Sequence, residues 1–271
     1  MNKSQNHNIR SKFKDSTVIF MVVHYNFECV RLTLLNILSI IDQLEDTYLI
    51  LINSKANSKI INLLDKIQSK KVDRIDLPIN FGFNDSINHY IKDFINEKNL
   101  PKTVVQMGSD ILFAKDDFTK LIDAICDLKK YGTLSLSYEN NSCNPERNAL
   151  KPKSVKAENG KPYELRHTFL CPVPGGIMGI RGEILKDDLK FQFFDPKKLP
   201  KRYLRVAAVG GADASLYNSL KWKYKTAFLA NTKALHMKTR SGDVIDLPES
   251  WNNYVNNLVE NEDKILSSVF Q

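Results

Sequence analysis

Between residues 17 and 107 the chain alternates short, continuous apolar runs with segments of helical period, and this alternation limits the fold more than any other feature. Residues 17–24 (TVIFMVVH) form an apolar, β-branched run of the kind buried on both faces of a sheet. A helix is expected over 29–41, where Val30, Leu34, Leu35, Leu38 and Ile41 fall at helical spacing. Further strands are expected at 48–52, at 74–77 before Pro78, and at 103–107, with helices at 60–67 and 85–96 between them. Four strands alternating with three helices imply βαβ units and an α/β protein with a mostly parallel sheet. Ligands on such sheets bind beyond the carboxyl ends of the strands. That singles out the loops at 24–28, 53–58 and 108–113.

The second half differs. Six of the eleven glycines lie between Gly175 and Gly211. Segment 140–165, rich in Asn, Lys and Pro, is expected to be a mobile excursion. A helix is expected at 211–220, a strand at 226–235 and an amphipathic helix at 251–270. Residues 1–15 read as a disordered arm, 16–240 as one domain in two halves (16–130 and 131–240), and 241–271 as a C-terminal helical extension.

The chain has 271 residues, enough to bury a large core without disulfides or structural metal. Its most apolar stretch, 17–23, is far short of the roughly 20 residues of a membrane-spanning helix. The polar N-terminus does not read as a secretory signal. Cys29, Cys126, Cys143 and Cys171 lack paired metal-ligand spacing and read as reduced thiols of a cytoplasmic protein. The net charge of +8 is unevenly spread. Residues 1–150 carry 19 basic and 18 acidic side chains, 151–240 carry 19 and 7, and 241–271 carry 1 and 6, giving +1, +12 and −5. The basic middle third suggests an anionic partner, a membrane surface among them, or simply a solvated lysine-rich face. Against nucleic acid, no recognition motif is present.

Several short segments could carry chemistry. Asp110 in Met107–Ile111 (MGSDI) stands at the carboxyl end of an apolar strand, where an oxygen ligand suits a hard divalent cation or where a carboxylate simply caps a turn. The loop Asn80-Phe81-Gly82 runs into a helix whose N-terminal amides could attract phosphate, or is an ordinary capped turn. Gly175-Gly176 precedes an apolar strand and permits close ligand approach or a bend. Asp213, just inside a predicted helix after Gly210-Gly211, could be a general base or merely a carboxylate suited to the helix dipole. His236 closes the strand AFLANTKALH. Alone, such a histidine is an ordinary surface or core residue.

Taken in order, these segments resemble family 2 glycosyltransferases of the GT-A fold. The resemblance spans roughly residues 17–236: the buried strand ending near Tyr25-Asn26, the N-x-G helix start at Asn80–Gly82, Ser109-Asp110, the Gly-Gly-Ile-Met segment at 175–178, Ala212-Asp213 and His236. It implies a Rossmann-like central sheet with helices on both faces. It also implies an inverting transferase moving a hexosyl group from a nucleotide-sugar donor to a hydroxyl of a glycan or lipid-linked acceptor, in bacterial surface polysaccharide synthesis. Asp110 and His236 would hold Mn2+ or Mg2+ against the diphosphate, and Asp213 would deprotonate the acceptor. His24, Asn26, Asn53, Asn80, Gly82, Asn88, Ser109, Gly175 and Gly176 would line the donor site. The cluster Lys201, Arg202 and Arg205 would flank an anionic acceptor, and a cytoplasmic location with peripheral association at the inner membrane face follows.

The sequence departs from that pattern at four places. Gly108 occupies the first position of D-x-D, Asn53 stands where an acid follows the second strand, and Ile87 and Ala212 replace an arginine and an acid. These gaps motivate a second reading, a non-catalytic GT-A-like domain that binds nucleotide or glycan. A sugar nucleotidyltransferase is disfavoured, because HYNFEC rather than a glycine-rich phosphate loop follows the first strand.

Overall fold

The computed structural model describes residues 9–139, 150–168, 172–173, 176–199, 212–237, 239–240, 244–245 and 247–267. The first half runs Thr17–Val23 (β1), Phe27–Ile41 (α1), Thr47–Ser54 (β2), Ser58–Leu64 (α2), Val72–Leu77 (β3), Gly82–Phe94 (α3), Thr103–Met107 (β4), Ile111–Phe113 (β5) and Lys115–Asp127 (α4). It continues with Tyr131–Tyr138 (β6), Lys153–Lys156 (β7), Pro162–His167 (β8), Ile177–Arg181 (β9), Gly182–Asp187 (α5), Ala212–Leu220 (α6) and Lys225–His236 (β10). The short pair Thr239–Arg240 (β11) and Val244–Ile245 (β12) precedes Glu249–Glu260 (α7) and Glu262–Leu266 (α8).

Ten strands form one sheet in the order β3-β2-β1-β4-β9-β6-β10-β8-β7, with β5 paired to the end of β10. From the pairings, β1, β2, β3, β4, β6, β7 and β10 run one way, and β5, β8 and β9 run against them. The sheet is mixed α/β and mostly parallel in strand direction, as the alternation of runs implies. Every residue of β1, β2, β4, β6 and β9 is buried, which is why β1 reads as an unbroken apolar run, whereas β6 (YGTLSLSY) also buries Thr133, Ser135 and Ser137. Gly179 in β9 lets the strand fit, since a Cβ there would meet Ile125 Cδ1 at 2.3 Å.

Helices cover the sheet. Tyr90 of α3 packs edge-on to Phe20 of β1, α4 lies along β6 and β9, and α1 packs on β2 and β5 and is covered by α7 and α8. Local chemistry starts the helices where expected. The Asn26 side chain accepts from Cys29 N at 3.3 Å, and the Asn57 side chain accepts from Ile60 N at 3.1 Å.

Three expectations change. The arm expected to be disordered is packed from Ile9 onward: Ile9 and Phe13 are buried, and Arg10 Nε donates to Asp73 Oδ2 at 2.6 Å. Burial of two apolar side chains and a paired charge explains the order. Of the excursion expected at 140–165, the part from Lys153 onward belongs to the β7–β8 hairpin on the sheet edge, which runs to His167, while 140–149 lie outside the described residues. Its strand β7 is exposed on the edge, so it shows no apolar run. The single helix expected at 251–270 is two helices, broken at Asn261, whose side chain bonds back to Asn257.

Candidate functional site

Strand β4 ends at Met107, and the turn Gly108-Ser109-Asp110 reverses the chain into β5. Strand β5 pairs antiparallel with the end of β10, setting Ile111 opposite His236. Met237 N donates to Asp110 O at 2.8 Å and extends that ladder. The result joins two residues 126 positions apart: His236 Nε2 hydrogen-bonds Asp110 Oδ2 at 3.0 Å. Both side chains are part-exposed, at 29% and 39%. Tyr138 meets His236 edge-on at 6.3 Å between rings. Its hydroxyl accepts from Ile177 N at 2.7 Å.

Gly176 is needed for this packing. A Cβ there would lie 2.5 Å from Tyr138 Oη and 2.9 Å from Ile111 Cδ1, and Gly108 N donates to Gly176 O at 2.6 Å. From the opposite side α7 braces the pair. Trp251 and Val255 pack with Leu112, Leu235 and Met237, and Trp251 Nε1 donates to Glu139 Oε2 at 2.5 Å. Cys29 belongs to the same cluster. Burial, then the negative charges of Asp110 and Glu28, push its thiol up to about 12.

A second cluster joins the ends of β1 and β2 to the start of α3. His24 Nδ1 donates to Ser54 O at 2.7 Å, leaving Nε2 to accept from Asn80 Nδ2 at 3.0 Å. Asn80 Oδ1 accepts from Ser54 Oγ at 3.0 Å and from Gly82 N at 2.8 Å. Gly82 has φ of 76°, the left-handed conformation that favours glycine. Thus His24, Asn80 and Gly82 come together beyond the carboxyl ends of two parallel strands.

The other sequence candidates are placed differently. Asn26 caps α1 with φ of 63°. Asn53 donates to Asp76 Oδ1 at 2.7 Å, and its own Oδ1 accepts from Ala56 N at 2.8 Å. Asn88 clamps the backbone of Phe194, donating to its O at 2.7 Å and accepting from its N at 3.0 Å, and so ties α3 to the segment after β9. Asp213 is half-buried in the first turn of α6, accepting from Ala214 N at 2.8 Å. Gly175, Lys201, Arg202 and Arg205, with Cys143 and Cys171, lie outside the described residues. Cys29 and Cys126 are free thiols.

One residue escaped sequence reading. Asp76, the penultimate residue of β3, stands directly opposite Asn53 in the strand register, so the carboxylate missing from the second strand stands one strand over. Arg74 pairs with it at 3.0 Å. An acid closing a strand before Leu77-Pro78 was the available signal.

Asp110 and His236 fit a divalent cation. Two donor atoms 3.0 Å apart match adjacent ligands of an octahedral ion with bonds of about 2.1 Å. An imidazole beside one carboxylate suits Mn2+ better than Mg2+. Among the described residues no group of three His, Cys, Asp or Glu is gathered for a metal, so further ligands would come from substrate or water. No helix among the described residues is long and apolar enough to cross a membrane.

No protein-family model and no curated protein matches the chain. Solved structures do. The mannosyltransferase PcManGT from Pyrobaculum calidifontis, in complex with GDP-Man and Mn2+, is 11% identical, with a TM-score of 0.54 over 85% of this chain. This chain spans only 59% of that one. S. aureus TarS 1-349 in complex with UDP-GlcNAc is 16% identical, with a TM-score of 0.52 over 94% of this chain and 68% of that one. GalNAc-T7 with UDP, GalNAc and Mn2+ is 12% identical, with a TM-score of 0.50 over 92% and 50%. The architecture that positions the Asp110–His236 pair is therefore the GT-A-like fold of these glycosyltransferases.

Proposed function

We propose that the chain is a nucleotide-sugar-dependent glycosyltransferase. It transfers a hexosyl group with inversion to a hydroxyl of a glycan or lipid-linked acceptor, in surface polysaccharide synthesis at the cytoplasmic face of a membrane. The meeting of Asp110 and His236 at 3.0 Å, at the carboxyl ends of the central strands, carries this reading. Solved structures of the same fold hold GDP-Man, UDP-GlcNAc or UDP, two of them with Mn2+, which supports it.

In this reading Asp110 and His236 would hold a divalent cation, whose charge would offset that of a departing diphosphate. The cluster of His24, Asn80 and Gly82 meets the donor nucleotide, with Asp76 supplying the carboxylate that Asn53 lacks. Asp213 takes the proton of the acceptor hydroxyl as the new bond forms.

Thermal unfolding with UDP, GDP, CMP or dTDP, each with Mn2+ or EDTA, tests the reading. One nucleotide at roughly 100 times its dissociation constant should add about 2.7 kcal/mol, and only with Mn2+. Asp213→Asn should keep that stabilisation and lose transfer. Gly108 at the first D-x-D position favours the second reading, a nucleotide- or glycan-binding domain without transfer. Nucleotide stabilisation without turnover on any acceptor would favour it in its nucleotide-binding form, and no stabilisation by any nucleotide would refute the transferase and leave the glycan-binding form.

A further inference from the structure

The far end of the sheet carries a cleft that includes neither Asp110 nor His236. It has a volume of about 620 Å3 and lies between the starts of β6 and β10 and the β7–β8 hairpin. Strand β10 links the two places. Lys225 opens it at the cleft and His236 closes it, and twelve residues of strand separate them by on the order of 35 Å.

Five lysines line the cleft: Lys129, Lys130, Lys153, Lys156 and Lys225. All are exposed, and among the described residues none forms an ion pair. Neighbouring cations outside the lining behave otherwise: Lys161 pairs with Asp123 at 2.6 Å, and Lys223 with Asp188 at 2.7 Å. Two acids line the cleft, Asp127 and Glu158, and Asp127 already accepts from Tyr163 Oη at 2.5 Å. Tyr131, Leu150 and Val155 supply its apolar surface. On its wall, His167 Nε2 hydrogen-bonds Tyr131 Oη at 2.7 Å. Burial and then the charges of Lys225 and Lys153 hold His167 below its ordinary range, as a cationic cleft requires.

We propose that this cleft binds a soluble oligoanion carrying several phosphate groups. Five lysines lining one cleft, without ion-pair partners among the described residues, favour multivalent charge, and a single phosphate would leave most of them unmatched. The concave shape favours a ligand that enters over a flat lipid surface, which would meet only the rim. The volume suits a compact ligand of several phosphates. Such a ligand would reach the protein at a place separate from donor transfer, so the inference stands whatever the Asp110–His236 site does.

The probe is sodium tripolyphosphate, titrated calorimetrically into the full chain in EDTA. Vesicles of phosphatidylglycerol and phosphatidylcholine form the second arm. The double variant Lys153→Glu/Lys225→Glu should weaken tripolyphosphate at least tenfold. Lys59→Glu/Lys66→Glu, exposed residues with the same change in net charge, should leave affinity within about twofold. In wild type, tripolyphosphate should raise the His167 ring pKa followed by NMR, and should not do so in the cleft variant. Equal loss in both variants would reduce the effect to net charge and overturn the proposal. So would vesicle binding without tripolyphosphate binding, or no binding at millimolar concentration; in the last case the lysines would only guard a sheet edge against pairing.

Discussion

Restoring the first acid of the D-x-D pattern tests the Asp110–His236 pair most directly. Gly108 does not occupy the left-handed region, so Gly108→Asp incurs no backbone strain. An added Cβ would lie 2.7 Å from Asp110 Oδ1 and 3.6 Å from Gly176 O, so the Asp110 side chain must turn aside. The new carboxylate would then stand roughly 4 Å from the old one. At an effective dielectric of 20 two such charges repel by about 4 kcal/mol. Asp110 is 39% exposed and can turn away, which reduces the cost to about 1–2 kcal/mol. For a domain near this size that is a fall of about 2–8 °C in Tm in EDTA. Millimolar Mn2+ should reverse it, because a cation removes the repulsion and gains a ligand. Gly108→Ala isolates the steric part, and should lose less and respond no more to Mn2+ than wild type. The assay is thermal denaturation at neutral pH. A variant destabilised equally in EDTA and in Mn2+ would falsify the assignment of this corner as a metal site.

Other predictions follow from buried and titrating groups. Asp73 is fully buried between Arg10 and the Tyr90 hydroxyl, so Asp73→Asn should cost about 3 kcal/mol in urea unfolding by stranding the guanidinium; a loss below 1 kcal/mol would show the pair to be dispensable. His167 is held below its ordinary value of 6.5, so the unfolded chain binds the proton first as pH falls. Stability should therefore decline from pH 7 to pH 5, and His167→Gln should flatten that part of the curve. With its thiol near 12 and buried, Cys29 should react with iodoacetamide at pH 8 only on unfolding, whereas fast native modification would contradict the packing around α7.

Much of the fold was legible because its central strands are buried on both faces. TVIFMVV can hardly be anything but an interior strand, and the periodic segments between such runs place the crossover helices. The residues at strand ends were legible for the same reason, since parallel sheets gather them on one edge. What sequence could not show was pairing at long range. Nothing near Asp110 announces His236; the three-residue β5, turned against β10, makes them neighbours. The β7–β8 hairpin was hidden because an exposed edge strand, Lys-Ser-Val-Lys, looks like loop. Asp76 was missed because its importance rests on register with Asn53 rather than on any local motif.

Strand β9 has only five residues, yet the two sides of the sheet meet through it, because β4 and β6 each bond to β9 rather than to one another. Its registers reach far along the chain: Val105 pairs with Gly179, and in the adjoining ladder Ser135 pairs with Met178. The β1–β2 and β2–β3 ladders close over short stretches of chain (Thr17 with Thr47, Leu49 with Val72) and can assemble early, while β1–β4 and β6–β10 (Thr17 with Thr103, Ser135 with Phe228) wait on slower closures of long loops. Asp110 meets His236 only at the end of that order. On the proposed function, a metal or nucleotide would find this corner finished only in the native state. Bound there, it would slow unfolding and leave the refolding rate unchanged.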